Sequence, residues 1–424
     1  MKNTYQIIEY GSFVAEKEIE GFVSLPQDTF NALESFVLSN RSKDTDALEL
    51  MGLSAKKGIG KVITAKNYVG VISMKDGTTI EILPKVLTKS DEKDSVKKLL
   101  IDMLKSLKNT PYKSFQKTNV DIEKMSVFEV FIRMFIDEVL SIEKRGLKSD
   151  YQTVQSNETV FKGKLRVSEH IKHNFAHKER IYIEYDEYNI NRPENRLIKT
   201  TLKFLYRCSH NLRNRADIKN LLNAFSSVDA SINIQGDFAK CTSDRNMKDY
   251  TTALMWCRVF LLGKSFTSFL GSEVAFALLF PMETLFESYI AQQLKKHLNP
   301  AEFSISVQDK RYHLFDEPSR FLMKPDIVVK RKHDDTVFVL DTKWKMLSAT
   351  KANSGISQAD MYQMYAYQKK YNAKTVSLIY PISETMNTDL LFHSNDGVTV
   401  RAVFVDLMDI SKSISHITEN LSIS

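Results

Sequence analysis

Cysteine is scarce in this 424-residue chain. The three present, Cys208, Cys241 and Cys257, lie far apart with no Cys-x-x-Cys pair. That spacing excludes a zinc ribbon and a disulfide framework, and it fits a reducing, cytoplasmic compartment. Long hydrophobic runs are missing too. The most apolar stretch, VFLLGKSFTSFLGSEVAFALLF, is interrupted by Lys264 and Glu273, so it reads as buried helix and not as a membrane span. The opening residues MKNTYQIIEYGSF hold no apolar core of signal-peptide length, and no secretory leader is expected. A phosphate-cradling P-loop needs G-x-x-x-x-G-K-[ST], and two near misses both fail. Gly263-Lys264-Ser265 has Arg258 at the first glycine position, and Gly60-Lys61 has Ala55 there and Val62 in place of the hydroxyl. The chain is therefore expected to bind no nucleotide through a Walker motif. Internal repeats and low-complexity tracts are absent as well.

What is present is ordinary for a soluble globular protein: 43% apolar and 26% charged residues, with length for two or three domains. A net charge of +7 makes an acidic partner such as nucleic acid reasonable without demanding one.

The chain divides by pattern into three regions. Residues 1–110 read as β-rich, on the strength of VGVISMKDGTTIEILPKV, which alternates around a Lys-Asp-Gly turn. The polar, glycine-bearing stretch from Arg41 to Lys61 reads as an exposed loop or projecting finger. Residues 111–268 read as mainly helical. MSVFEVFIRMFIDEVLSIEKRG, for example, has apolar residues at helical spacing and a glycine stop at Gly146. Residues 269–424 change character. A helix (PMETLFESYIAQQLKKHL) precedes a β-hairpin, a second helix (SQADMYQMYAYQKKY) and two more strands (TVSLIYP and VRAVFVDL). The fold class expected is multidomain α/β, with a mixed sheet flanked by helices in the C-terminal part.

The hairpin KPDIVVKRKHDDTVFVLDTKWK carries the chemistry. An acid starts its first apolar run, an acid ends its second, and a lysine follows two residues on. A turn centred on His333-Asp334 places Asp326 directly opposite Asp341, with Cβ atoms about 5 Å apart. Alternation puts Lys343 on the same face as Asp341. Strands this rich in Val, Ile, Phe and Leu are central and desolvated, and unpaired carboxylates there are costly. One lysine offsets part of the charge. A hard divalent cation such as Mg²⁺ offsets the rest, and it can stabilise charge developing on a phosphate. Lys343 then orients or helps deprotonate an attacking water, or stabilises the transition state. Against this stands the simpler reading of solvated acids at strand ends, where a surface Asp-Lys pair contributes little.

Proline-aspartate, a gap, then D-x-K at the end of an apolar run is the pattern of the PD-(D/E)XK nucleases. Gln363 and Tyr367, with Asp360, share one helical face and resemble the QxxxY element that many of those nucleases carry. In the preceding helix Glu283 and Glu287 share a face, and Glu287 is the favoured third acid at the metal. Together these stretches resemble the McrC family, the nuclease subunits of McrBC modification-dependent restriction systems. YVGVISMKDGTTIEILPKV, KRGLKSDY, FKGKLR, NRPENRLIKTTLKFL and PMETLFESYI extend the likeness in pieces over residues 68 to 370. The resemblance implies Asp326 and Asp341 as metal-binding acids, Lys343 as the catalytic lysine, and Gln363 and Tyr367 as supporting residues. The metal would be Mg²⁺, with Mn²⁺ equally suited to the ligands. It also implies a partner, a hexameric AAA+ GTPase of the McrB type, which binds GTP, reads modified double-stranded DNA and translocates. Residues 1–268 would dock into that ring and stimulate it, and pairs of complexes could join through this subunit. Two other readings remain open: a non-catalytic adaptor that activates the motor, and a free-standing nuclease.

His170, His173 and His177 sit at a spacing that could line one helix face and hold zinc, but no further ligand pattern accompanies them. A basic, polar helix face, with Lys172, Lys178 and Arg180, is the simpler account. Asn191 reads as a helix N-cap, with Pro193 in the first turn.

Overall fold

The computed structural model describes residues 4–39, 50–74, 76–86, 93–107, 125–241, 245–262 and 274–423. The chain forms two compact units, one built from Met1–Val127 with Ser265–Ser424 and the other from Phe128–Lys264. The N-terminal and C-terminal stretches thus belong to one unit.

That unit begins with seven strands: β1 (Thr4–Ile8), β2 (Ser12–Ala15), β3 (Phe22–Leu25), β4 (Met51–Lys56), β5 (Gly60–Ala65), β6 (Tyr68–Met74) and β7 (Thr79–Leu83). The helix Gln27–Ser39 lies between β3 and β4. Strands β3-β2-β5-β4 form one sheet. The expected hairpin around Lys-Asp-Gly is β6–β7, antiparallel, with Gly70 opposite Ile82. The projecting finger is a correction in part. Residues 40–49 lie outside the described residues, but Met51–Lys56 and Gly60–Ala65 pair antiparallel as ordinary sheet strands. Buried Met51, Val62 and Ile63 supply the apolar face that a free loop would lack. After Lys85, residues 87–92 lie outside the described residues, and the helix Lys93–Ser106 follows.

The second unit holds the long helix Val127–Arg145, which ends at Gly146 with φ +85° as expected. A three-stranded sheet follows, with β10 (Ile181–Asn189) between β8 (Asp150–Glu158) and β9 (Lys164–Leu165). The helices Pro193–Cys208, Leu212–Ala224, Ile234–Lys240 and Thr251–Leu262 complete it. Arg192, not Asn191, takes the cap position before Pro193. Asn191 instead clamps a neighbouring loop, donating to Asp229 Oδ2 at 2.6 Å and accepting from the Asp229 amide at 2.9 Å.

The first unit resumes with β11 (Val274–Pro281), and this is a second correction. The apolar stretch expected as buried helix ends as a strand antiparallel to β6, completing the sheet β1-β7-β6-β11. A continuous apolar run suits a buried strand as well as a helix, and periodicity cannot separate them. Gly70 permits the pairing, because a Cβ there would lie 2.1 Å from the Leu278 carbonyl oxygen. The helix Met282–His297 follows.

Next comes a six-stranded mixed sheet in the order β12-β15-β16-β17-β19-β18. Its members are β12 (Phe303–Val307), β15 (Ile327–Arg331), β16 (Val337–Thr342), β17 (Thr375–Pro381), β18 (Leu390–His393) and β19 (Thr399–Val405). A small ribbon, β13 (His313–Phe315) with β14 (Arg320–Leu322), precedes β15. The strands β16, β17 and β19 run parallel. Parallel strands need crossovers, and the helix Gln358–Tyr371 supplies the one between β16 and β17. Val328, Val339, Leu378, Val376 and Ala402 pack beneath Met364, Tyr367 and Tyr371 of that helix. The helices Met282–His297 and Ile410–Ile423 also pack against the sheet and each other. The expected mixed α/β class is what the chain adopts.

Candidate active site

The hairpin register is the one the turn implied. Ile327 faces Leu340, Val328 faces Val339, and Val329 faces Phe338. Asp326 immediately precedes the Ile327–Leu340 pair and Asp341 follows it, and the charge of Asp326 acts on Asp341. Asp326 Oδ2 accepts hydrogen bonds from the Thr342 amide and hydroxyl, both at 2.8 Å. Asp341 is 2% exposed. Its side chain alternates to the face of Val339, beneath the helix Gln358–Tyr371, and Lys343 shares that face.

Lys343 Nζ lies 2.6 Å from Asp341 Oδ2 and 3.8 Å from Asp360 Oδ1. It also reaches Gln363 Oε1 at 3.4 Å, and Gln363 Nε2 donates to the Tyr367 hydroxyl at 2.8 Å. Ser357 sets the helix end by accepting the Asp360 amide at 3.1 Å. The structure therefore brings Asp341, Lys343, Asp360, Gln363 and Tyr367 together. Apart from the lysine ion pair, the sealed Asp341 Oδ2 receives no hydrogen bond.

Glu287 belongs to the same neighbourhood. Burial, followed by the charge of Asp326, pushes its carboxyl up to about 7, and Asp341 adds to the effect. Gln308 Nε2 donates to it closely. Glu283, by contrast, is exposed and accepts from Asn67 Nδ2 at 2.5 Å. Asp341 is pushed up to about 6, by burial first and then by Asp326, with Lys343 opposing. Burial and then Asp341 push the Tyr367 hydroxyl up to about 12. These shifts have one origin: negative charge held in a desolvated place with only Lys343 and, at Glu287, Lys324 to answer it.

Burial works against the charge on Lys343, but Asp341 and Asp360 outweigh it and hold the ammonium above the usual lysine value. Among the described residues no three carboxylate, histidine or cysteine side chains converge closely enough to enclose a metal. A hard ion that takes two carboxylates and fills its shell with water and phosphate oxygens does not require three. The sealed Asp341 oxygen, met only by Lys343, and the all-oxygen donor set fit such an ion.

Two residues escaped the sequence reading. Tyr380, on β17, lies one step beyond the Thr342–Ile379 pair, next to Lys343. Its hydroxyl is buried with no hydrogen-bond partner among the described residues, and burial, then Asp360 and Asp341, push its pKa up. Trp344 donates its indole N–H to Glu9, 335 positions away. Nothing local in TVSLIYP or DTKWK marks either one.

The histidines do not form a site. The helix Val167–Asn174 ends before His177. His170 pairs with Asn174 at 3.0 Å, His173 with Glu169 at 3.3 Å, and His177 with Glu179 at 3.2 Å. Each is satisfied separately, as on a polar surface.

Residues 63–381 match the model of a restriction-system component. The chain belongs to that family, described as "McrBC 5-methylcytosine restriction system component", as the resemblance in the motifs implied. No curated protein matches it. Its fold is similar to that of a chain in a structure described as the refined half-complex from the tetradecameric assembly of Thermococcus gammatolerans McrB AAA+ hexamers with bound McrC. That match has a TM-score of 0.69 at 19% identity, covering 99% of this chain and 100% of that one. A chain in the cryo-EM structure of the Thermococcus gammatolerans McrBC complex aligns at TM-score 0.49 and 19% identity, over 70% of this chain and 88% of that one. No helix among the described residues is long and apolar enough to cross a membrane.

Proposed function

We propose that the chain is the DNA-cleaving subunit of an McrBC-type complex, and that Asp326, Asp341 and Lys343 carry out metal-dependent phosphodiester hydrolysis. The observation behind this reading is the buried Asp341 carboxylate, whose sealed oxygen meets only the Lys343 ammonium while Asp326 and Asp360 add further negative charge. A Mg²⁺ or Mn²⁺ ion held by Asp326 and Asp341 would neutralise the excess charge and polarise the scissile phosphate, with Glu287, the expected third acid, standing beside the ion rather than closing a three-acid cage. Lys343 acts as a cation rather than as a free base, since its acidic neighbours favour the ammonium. From that position it orients the attacking water and meets charge developing on the phosphate. Gln363, backed by Tyr367, keeps the ammonium from collapsing wholly onto Asp341.

The Thermococcus structure contains McrC bound to McrB AAA+ hexamers. We propose that this chain works likewise with a hexameric AAA+ GTPase, which binds the GTP and selects modified double-stranded DNA, and that complexes pair through this subunit. The N-terminal half would dock and stimulate the ring. Supporting this, Val160, Phe161, Ile171 and Phe175 stand exposed between β8 and β10, among Lys162, Lys164 and Lys172. Exposed apolar groups rimmed by charge are a common mark of docking surfaces.

The test is cleavage of methylated and unmethylated plasmid with Mg²⁺, comparing this chain alone with chain, AAA+ partner and GTP. Cleavage only in the full mixture, lost in Asp341→Asn, supports the reading. Stimulated GTP hydrolysis with no cleavage would make the chain an adaptor. Cleavage by the chain alone would make it a free-standing nuclease.

A further inference from the structure

Glu9 closes the first strand of the unit, its amide donating to the Leu83 carbonyl at 3.0 Å as β1 leaves β7. It is 1% exposed. Its two carboxylate oxygens share the Trp344 indole N–H at 3.0 and 3.1 Å. One of them also accepts the Lys85 backbone N–H at 2.9 Å. Lys85 belongs to the Pro-Lys pair that ends the β6–β7 hairpin, and Trp344 is the residue after Lys343. The Trp344 ring also meets Phe286 edge-on, with centroids 5.3 Å apart, and Phe286 precedes Glu287. A single buried acid thus joins the ends of β1, β7 and β16.

The arrangement is costly. Burial pushes Glu9 up to about 7. Glu283 on the Met282–His297 helix adds to the rise, while the Lys85 amide, Trp344 and the Lys85 charge oppose it. An apolar side chain would fill the same space with no ionisable group to desolvate. What the acid adds is direction: it holds the indole in one orientation. On the other side the Lys343 amide is held by the Ile379 carbonyl at 2.9 Å. The backbone that carries the lysine is therefore fixed from both sides.

We propose that Glu9 is a positioning residue for the active site, clamping Trp344 so that Lys343 and the Glu287 turn keep their places relative to Asp341. The N-terminal sheet is then part of the nuclease, and a shift at the ends of β1 or β7 is felt at the lysine. This rests on the reading of Lys343 as catalytic.

Glu9→Gln keeps the size but offers one acceptor where two donors converge, so its amide faces either the indole or the Lys85 N–H. Trp344→Phe keeps the ring contact with Phe286 and removes the donor. In the reconstituted complex with partner, GTP and Mg²⁺, each variant should lower kcat about tenfold without changing the KM for DNA or the stimulated GTPase rate. The double variant should be no worse than either single one, because both break the same contact. The full chain alone, labelled with 5-fluorotryptophan, gives two ¹⁹F signals, for Trp256 and Trp344, assigned through Trp344→Phe. The Trp344 signal should titrate near pH 7 in the native chain, and the transition should shrink in Glu9→Gln to what Glu287 behind Phe286 contributes. Wild-type cleavage by Glu9→Gln, multiplying losses in the double variant, or a Trp344 signal indifferent to pH would overturn the proposal. Cleavage by Asp341→Asn would instead overturn the nuclease reading, and the ¹⁹F titration does not depend on cleavage.

Discussion

Two acids are sealed from water to a similar degree, Glu129 in the second unit at 7% exposure and Asp341 in the first at 2%. Their surroundings differ. Glu129 accepts from the Ser209 hydroxyl, the amides of His210 and Asn211, and the Asn214 side chain, at 2.5 to 3.1 Å. Every lone pair that burial strips of water has a protein donor, and the acid locks two helices to a turn. Asp341 has one lysine, which it shares with Asp360, and the charge of Asp326 acting on it. A buried carboxylate surrounded by donors is a structural device. One that shares a single lysine with a second acid and lies near a third keeps an excess of negative charge, which the proposed cation would balance.

The contrast can be broken by substitution. Asp341→Asn should reduce cleavage by the full complex at least about a thousandfold, since a charge proposed to bind the metal is gone. It should not lower the midpoint of thermal unfolding, since the charge it removes was poorly compensated. A clear destabilisation would place Asp341 with Glu129 as structural. Glu129→Ala should do the reverse and cost about 3 kcal/mol in urea unfolding, because it strands several buried donors. Gln363→Ala should slow cleavage about tenfold by loosening Lys343, the usual scale for a residue supporting a site from behind. Wild-type turnover would remove it from the site.

Glu287 sharpens the comparison through pH. Its folded value, about 7, lies above the ordinary value of 4.5, so ionisation disfavours the folded chain. The native protein should lose stability relative to Glu287→Gln as pH rises from about 4.5 to 7. About 1 kcal/mol is expected after solvent screening, with recovery on adding Mg²⁺. Parallel unfolding curves for the two proteins across that range would remove the effect. The smallest change is expected from Tyr380→Phe. Deleting an unsatisfied buried hydroxyl should raise stability by about 0.5 kcal/mol, whereas a loss would mean that the hydroxyl has a partner.

Local pattern was enough to read the hairpin. Apolar alternation on both sides of a polar turn leaves one register, and that register brings Asp326 and Asp341 to the same end of the hairpin. The helices ending at Gly146 and beginning at Ser357 were legible for the same reason, since their caps are local chemistry. Contacts between distant segments were not. Glu9 and Trp344 are unremarkable where they stand in the chain, and Tyr380 reads as one more aromatic in an apolar strand. Val274–Pro281 misleads because its partner strand, not its own pattern, makes it a strand. Gly58 and Gly60, both at positive φ, tighten what looked like an open loop into the β4–β5 turn.

That late strand has a consequence for how the protein is made. Strand β6 leaves the ribosome roughly 200 residues before β11, a lag of about 10–40 s at ordinary synthesis rates. During that interval the β6 edge has no neighbour and is open to pairing with another nascent chain. The intervening segment contains the whole second unit, which can form its own core while the first waits. Co-expression at low temperature, which slows translation and lengthens the wait, should therefore favour aggregates that contain the N-terminal sheet. A truncated chain that stops before β11 also lacks Asp326, Asp341 and Lys343.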